Sequence, residues 1–195
     1  MGDRETILAR LRAAAVAAAD LPEAWPEPLL PADPIGQFSA MLEACAGRVV
    51  RAAADALLAP IVAELVARSG AERVRSELGD ALQGERFDST GEALRHGDLD
   101  MVVAAGEFAV AENGAVWVRG GAVSDRAVLF LAQHLVLVVA AASVVADMHA
   151  AYAWVDLTRD PYGVFIAGPS KTADIEQSVV IGAHGPRSLT VLLRG

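Results

Sequence analysis

Three short runs decide how this chain folds: HLVLVVA at His134–Ala140, GVFIA at 163–167 and SLTVLLR at Ser188–Arg194. Each is a continuous apolar run of strand length, the pattern of a strand covered on both faces. Between the first two, Val144, Met148, Ala151 and Val155 recur at helical spacing, which predicts a helix over 143–155. A shorter helix is predicted over 173–181. Strand–helix–strand–helix–strand with right-handed crossovers gives an α/β fold: a single domain with a mainly parallel sheet covered by helices.

Composition supports one core of this kind. Apolar residues make up 54% of the 195 residues and aromatics 5%, so Ala, Val and Leu do most of the packing. That length suits one domain. The net charge of −9 repels phosphate backbones and argues against nucleic acid as a partner. The chain has one cysteine, Cys45, whereas an iron–sulfur cluster takes about four thiolates. Any electron-transfer chemistry is therefore expected to belong to a partner, with no cofactor in this chain. No basic segment followed by an apolar run opens the sequence, so the expected location is cytoplasmic. The apolar stretch 128–146 carries Gln133 and His134 and reads as a buried strand and helix, not a transmembrane segment.

Towards the N-terminus, Ile7, Leu8, Leu11 and Ala15 predict a helix over 4–19. Five prolines in 21–34 predict an extended linker. The chain then divides into an N-terminal helical arm with its linker (1–34) and an α/β domain (35–195). The arm docks on its own domain or on a neighbouring copy in a homo-oligomer. Residues 37–69 read as mostly helical, with Gly70 as the stop signal. The stretch 71–99 is polar and accommodates a short strand and a short helix. Asn113-Gly114 between two apolar runs predicts a two-residue type I′ hairpin, pairing Val110 with Trp117 and Phe108 with Arg119.

Candidate sites follow from this layout. Ligands of open parallel sheets sit beyond the carboxyl ends of the strands, and Gly168-Pro169-Ser170-Lys171-Thr172 is the loop after 163–167. Its amides and hydroxyls suit an oxyanion at a helix start. The same residues also suit an ordinary, well-capped connection. Asp174 and Glu176 fall in the first turn of the next helix, where they argue against a plain phosphate cradle. They are either paired carboxylates for proton transfer or a solvated helix start. Glu112 shares the apolar hairpin face of Phe108, Val110 and Trp117. Burial there would raise its proton affinity, as a general base needs; exposure would leave it idle. His184, Gly185, Pro186 and Arg187 follow the last helix and are expected at the opposite edge of the sheet from Ser170. His96, Asp98 and Asp100 form a close cluster without a second ligand pair, which reads as loop surface.

The run GPSKTADIEQSVVIGAHGPRSL, residues 168–189, resembles the closing signature of the LUD-domain family, which includes lactate utilization protein C (LutC). Phe108-Ala-Val-Ala-Glu-Asn-Gly114 resembles a second signature of that family. Here Asn113-Gly114 stands where the family usually has Thr-Gly, and Ala104-Ala105-Gly106-Glu107 replaces a Thr-Gly-small-Asp element. The resemblance implies a fold like the CoA-transferase and ribose-5-phosphate isomerase group. It also implies a non-redox role in oxidising lactate to pyruvate beside cysteine-rich iron–sulfur subunits, with a small carboxylate as ligand. The candidate site residues are Glu112, Asp174 and Glu176 for catalysis and Gly168, Pro169, Ser170, Lys171, Thr172, Asn113 and Gly114 for binding, with His184, Gly185 and Arg187 as further candidates. The alternative is a stand-alone enzyme of the same fold acting on a carboxylate or phosphorylated ligand.

Overall fold

The computed structural model describes residues 3–16, 19–20, 31–82, 87–88, 99–172 and 180–195. The elements in chain order are α1 (Asp3–Ala13), α2 (Pro34–Ala44), β1 (Arg48–Ala52), α3 (Leu58–Ser69), β2 (Val74–Ser76), β3 (Phe87–Asp88), β4 (Met101–Ala105), β5 (Phe108–Val110) and β6 (Val116–Arg119). They continue with α4 (Val128–Leu131), β7 (His134–Ala140), β8 (Val144–Val145), α5 (Met148–Trp154), β9 (Gly163–Ile166), β10 (Lys171–Thr172), β11 (Val180–Ile181) and β12 (Ser188–Arg194).

The expected α/β class and parallel sheet are present. Six strands in the order β1-β12-β7-β4-β2-β3 form one sheet, parallel throughout. The two apolar runs at its centre pair residue for residue, from Ser188 with His134 to Arg194 with Ala140. Side chains alternate between faces. Met101, Val103, Val136 and Leu192 face α3, which covers them with Leu58, Val62, Leu65 and Val66. Leu135, Leu137, Val139, Leu189 and Val191 face the other way, onto Phe38 and Leu42 of α2 and onto a second sheet.

That second sheet is the main correction to the expected layout. It has the order β8-β5-β6-β9, and β9 runs antiparallel to β6. The run 163–167 therefore leaves the central sheet. An apolar run signals burial on both faces and not which sheet provides the cover. Here Val164 and Ile166 pack towards the main sheet. Phe165 packs with Phe108 and Trp117 beneath α5.

Other boundaries move for local reasons. Residues 37–69 are not one helical stretch: Asp33 caps α2 through Gly36 N (2.8 Å), and β1 intervenes before α3. The break is at Ala46-Gly47, where Ala46 takes φ +63°. Strand β1 is an edge strand of only five residues with arginines at 48 and 51, so its apolar signal is weak. The helix expected over 143–155 is confined to Met148–Trp154, after the short strand β8. Val180 and Ile181, the end of the other expected helix, pair antiparallel with Thr172 and Lys171. Two β-branched residues side by side suit a strand. Residues 21–30, most of the proline-rich stretch, lie outside the described residues, as do 173–179 and both His96 and Asp98.

The hairpin forms with a different register. Phe108 pairs with Trp117 and Ala109 with Val116, a shift of two positions that keeps the expected faces. The loop is longer because Ala111 N and Glu112 N bond to Val145 O (2.9 Å) and Ala146 O (3.0 Å), following β8 instead of β6. Only Gly114 of the pair takes positive φ, +70°, and a Cβ there would come within 2.4 Å of Leu42 N. Gly114→Ala should thus cost at least about 2 kcal/mol in urea unfolding. Gly70→Ala, at φ +71° with open space around it, should cost about 1 kcal/mol. Equal losses would show that the hairpin does not press on α2.

Candidate functional site

The signature residues 168–172 and 182–187 meet at one place. Gly168 (φ +79°) lies so close to the end of α2 that a Cβ would come within 2.2 Å of Cys45 O. Two residues on, Ser170 N donates to Pro186 O and Gly182 N donates to Ser170 O, both at 2.9 Å. A Cβ on Gly185 would fall 3.2 Å from Ser170 Oγ. The two halves of the signature are thus a folded-back hairpin, and His184 and Ser170 line the same cavity of about 300 Å³. This overturns the expectation that they lie at opposite edges. That expectation assumed β9 to be a strand of the parallel sheet. Because β9 belongs to the second sheet, the loop after it returns to the amino edge of β7 and β12.

The cavity has an apolar wall and a polar mouth. Leu129, Leu135, Ile166 and Leu189 form the wall, and Ser170, Lys171 and His184 bring one hydroxyl, one ammonium and one imidazole. Lys171 and His184 are exposed and Ser170 is half-buried. A mono-anion with a short apolar body fits this combination: the cation and hydroxyl hold the charge, and the wall accepts the carbon atoms. The amides that a cap at Ser170 or Thr172 would serve lie outside the described residues. Thr172 is in a strand and donates its hydroxyl to Val180 O (3.3 Å). Asp174 and Glu176 lie outside the described residues. Arg187 is exposed and packs over Gly182, while its amide donates to Gln133 O (2.7 Å).

The hairpin residues have a different position. Glu112 is exposed, and its Oε2 accepts from Met148 N (3.0 Å) at the start of α5. Asn113 Oδ1 accepts from Ala115 N (3.0 Å), and Gly114 rests on Leu42. None of the three lines the cavity. Gly114 and Gly168 nonetheless press on the same final turn of α2, so that turn couples the two signatures.

The carboxyl edge of the sheet, where ligands of such folds usually sit, holds ion pairs. Arg75 Nε, within β2, donates to Oε1 of Glu77 just beyond that strand (2.6 Å), and both side chains are buried. Ser124 N donates to the other Glu77 oxygen (2.8 Å). Glu107, in the segment that departs from the family pattern, lies between Arg119 (3.5 Å) and Arg159 (3.7 Å). Asp160 accepts from Gly121 N, which holds its carboxyl below the usual carboxylate range.

Sequence reading missed one polar pair at the amino edge. His134 Nδ1 and Ser188 Oγ are 2.8 Å apart across the β7–β12 ladder. Only the strand register reveals it. Burial lowers the His134 pKa below its ordinary value and Arg187 lowers it further, against a smaller opposite pull from Asp100. Asp100 itself accepts from Glu72 N and Arg73 N, both at 2.9 Å, and is held low by those bonds. A histidine held neutral in the fold binds its proton more readily when unfolded. Its contribution is complete above about pH 6.5 and is lost as pH falls through that value towards the folded pKa. Urea midpoints measured from pH 8 to 5 should fall below pH 6.5, and His134→Gln should remove part of that fall. An unchanged pH profile in the variant would contradict the assignment.

Comparison with known proteins agrees with the signatures. The LUD domain family model matches residues 92–193. A Geobacillus sp. (strain WCH70) protein named lactate utilization protein C is 28% identical over 128 residues, 63% of this chain and 51% of that protein. The protein of the same name from Halalkalibacterium halodurans is 29% identical over 121 residues, 59% of this chain and 50% of that protein. The chain thus spans about half the length of these curated relatives. A crystal structure of a DUF162 family protein from Deinococcus radiodurans superposes with a TM-score of 0.66 at 20% identity, covering 86% of this chain and 100% of that one, a likeness of fold. The match over residues 92–193, which takes in both signatures and the strands from β4 to all but the last residue of β12, makes this chain a member of the LUD-domain family.

Proposed function

We propose that this chain works in lactate utilisation, as a cytoplasmic, non-redox component that binds a small carboxylate beside iron–sulfur partner subunits. The observation that carries the reading is the convergence of Ser170, Lys171 and His184 on one cavity of about 300 Å³ in a LUD-domain chain. The relatives named lactate utilization protein C support the process. Lactate and pyruvate each pair one negative charge with a methyl group, which matches a cationic mouth and an apolar wall. These 195 residues hold one cysteine, half-exposed Cys45 beside Gly168. Clusters that need about four thiolates then belong to partners. Among the described residues, no helix is long and apolar enough to cross a membrane.

In this reading Lys171 supplies the counter-charge and Ser170 a hydroxyl donor to the carboxylate. His184 brings an imidazole, a hydrogen-bonding and proton-transfer group, to the same carboxylate. Millimolar L-lactate or pyruvate should raise the melting temperature by a few degrees, and Lys171→Met should abolish that rise with little loss of basal stability. A tagged chain should recover cysteine-rich proteins from cell extract. Growth on lactate unaffected by loss of the gene, or equal stabilisation in Lys171→Met, would contradict the reading.

A further inference from the structure

A second cavity opens on the opposite face of the same amino edge. Its volume is about 240 Å³. The floor is the α3-facing side of the sheet, with Met101, Val136 and Thr190, and the cover is the last turn of α3 with Arg68. Arg48, His134 and Ser188 complete the lining.

The charge here runs against that of the whole molecule. The chain carries −9, yet the described lining holds two guanidinium groups, an imidazole and the hydroxyls of Ser69, Ser188 and Thr190, and no carboxylate. Arg68 is shared with Glu64 on the exposed helix face (2.5 Å), and a guanidinium with five donors retains others. Arg68 also offsets the negative end of α3, which otherwise disfavours an anion. Arg48, the first residue of β1, has no ion-pair partner among the described residues. The His134–Ser188 bond fixes the imidazole and the hydroxyl side by side on adjacent strands.

We propose that this cavity is an oxyanion site, taking a carboxylate or phosphate-monoester group between Arg48 and Arg68, with Ser188 and His134 as further donors. It is separate from the cavity lined by Ser170 and lies across the sheet from it. Leu135 and Leu189 border both cavities, so this site adjoins the carboxylate site proposed above. A bound anion adds negative charge beside His134, whose other charged neighbours are Arg187, Asp100, Arg48 and Arg68, so it favours the imidazolium.

Proton NMR of the histidine ring resonances tests this, with inorganic phosphate and acetate titrated separately at constant ionic strength. The His134 C2 proton should shift saturably with at least one of the two anions, and its titration midpoint should move upward in that anion. Saturation by phosphate alone assigns a phosphate monoester, and saturation by acetate alone assigns a carboxylate. Arg48→Gln should weaken the effect at least tenfold, while Lys171→Met in the other cavity should leave it intact. Arg48 is exposed, so the variant should keep its urea midpoint. Linear, unsaturable shifts with both anions, or equal affinity in Arg48→Gln and the native chain, would overturn the proposal.

Discussion

The pairing of β7 with β12 fixes the rest of the molecule. Seven consecutive residues of each strand align in parallel, and both strands are buried on both faces. A slip of one residue would turn the leucines and valines of one strand to the wrong layer. It would also separate His134 from Ser188 and move the amino edge on which both cavities open. The hydrophobic pattern that sets the register therefore also sets the polar chemistry at the strand ends.

Three layers follow from that ladder. Helix α3 covers one face, and α2 with the second sheet covers the other. The second sheet in turn buries Phe108, Trp117 and Phe165 beneath α5, with Trp117 and Phe165 ring centres 4.6 Å apart. Because β9 lies in this second sheet, the signature loop emerges at the amino edge. There it folds against the Gly185-Pro186 turn, held by backbone bonds on both sides of Ser170. These bonds use both the amide and the carbonyl of Ser170, and the side chains of Ser170, Lys171 and His184 line the cavity.

Much of the fold is legible in the sequence where burial is continuous. The runs at His134–Ala140 and Ser188–Arg194 state strand, length and two-sided cover directly. The run at 163–167 states burial too, but local pattern carries no information about its partner strand. Strand β1 is illegible because Arg-Val-Val-Arg-Ala at a sheet edge has no period that distinguishes it from the helices around it. The hairpin register shifts because residues 111–112 bond to β8, a long-range contact invisible to turn chemistry. The candidate site divides the same way. Gly168, Ser170 and Lys171 stand out by type and spacing, whereas their meeting with His184 depends on β9 changing sheets. The expectation for Glu112 rested on burial, and the carboxylate is exposed and occupied at the start of α5.

The two halves of the LUD signature build one cavity at the amino edge of the sheet, which we propose takes a small carboxylate. A crystal structure of the chain with L-lactate or pyruvate tests it most directly. Ligand density is expected between Ser170, Lys171 and His184, with the methyl group towards Leu135 and Ile166. Ligand at the carboxyl edge beside Glu107 and Arg119, with the Ser170 cavity empty, would contradict it.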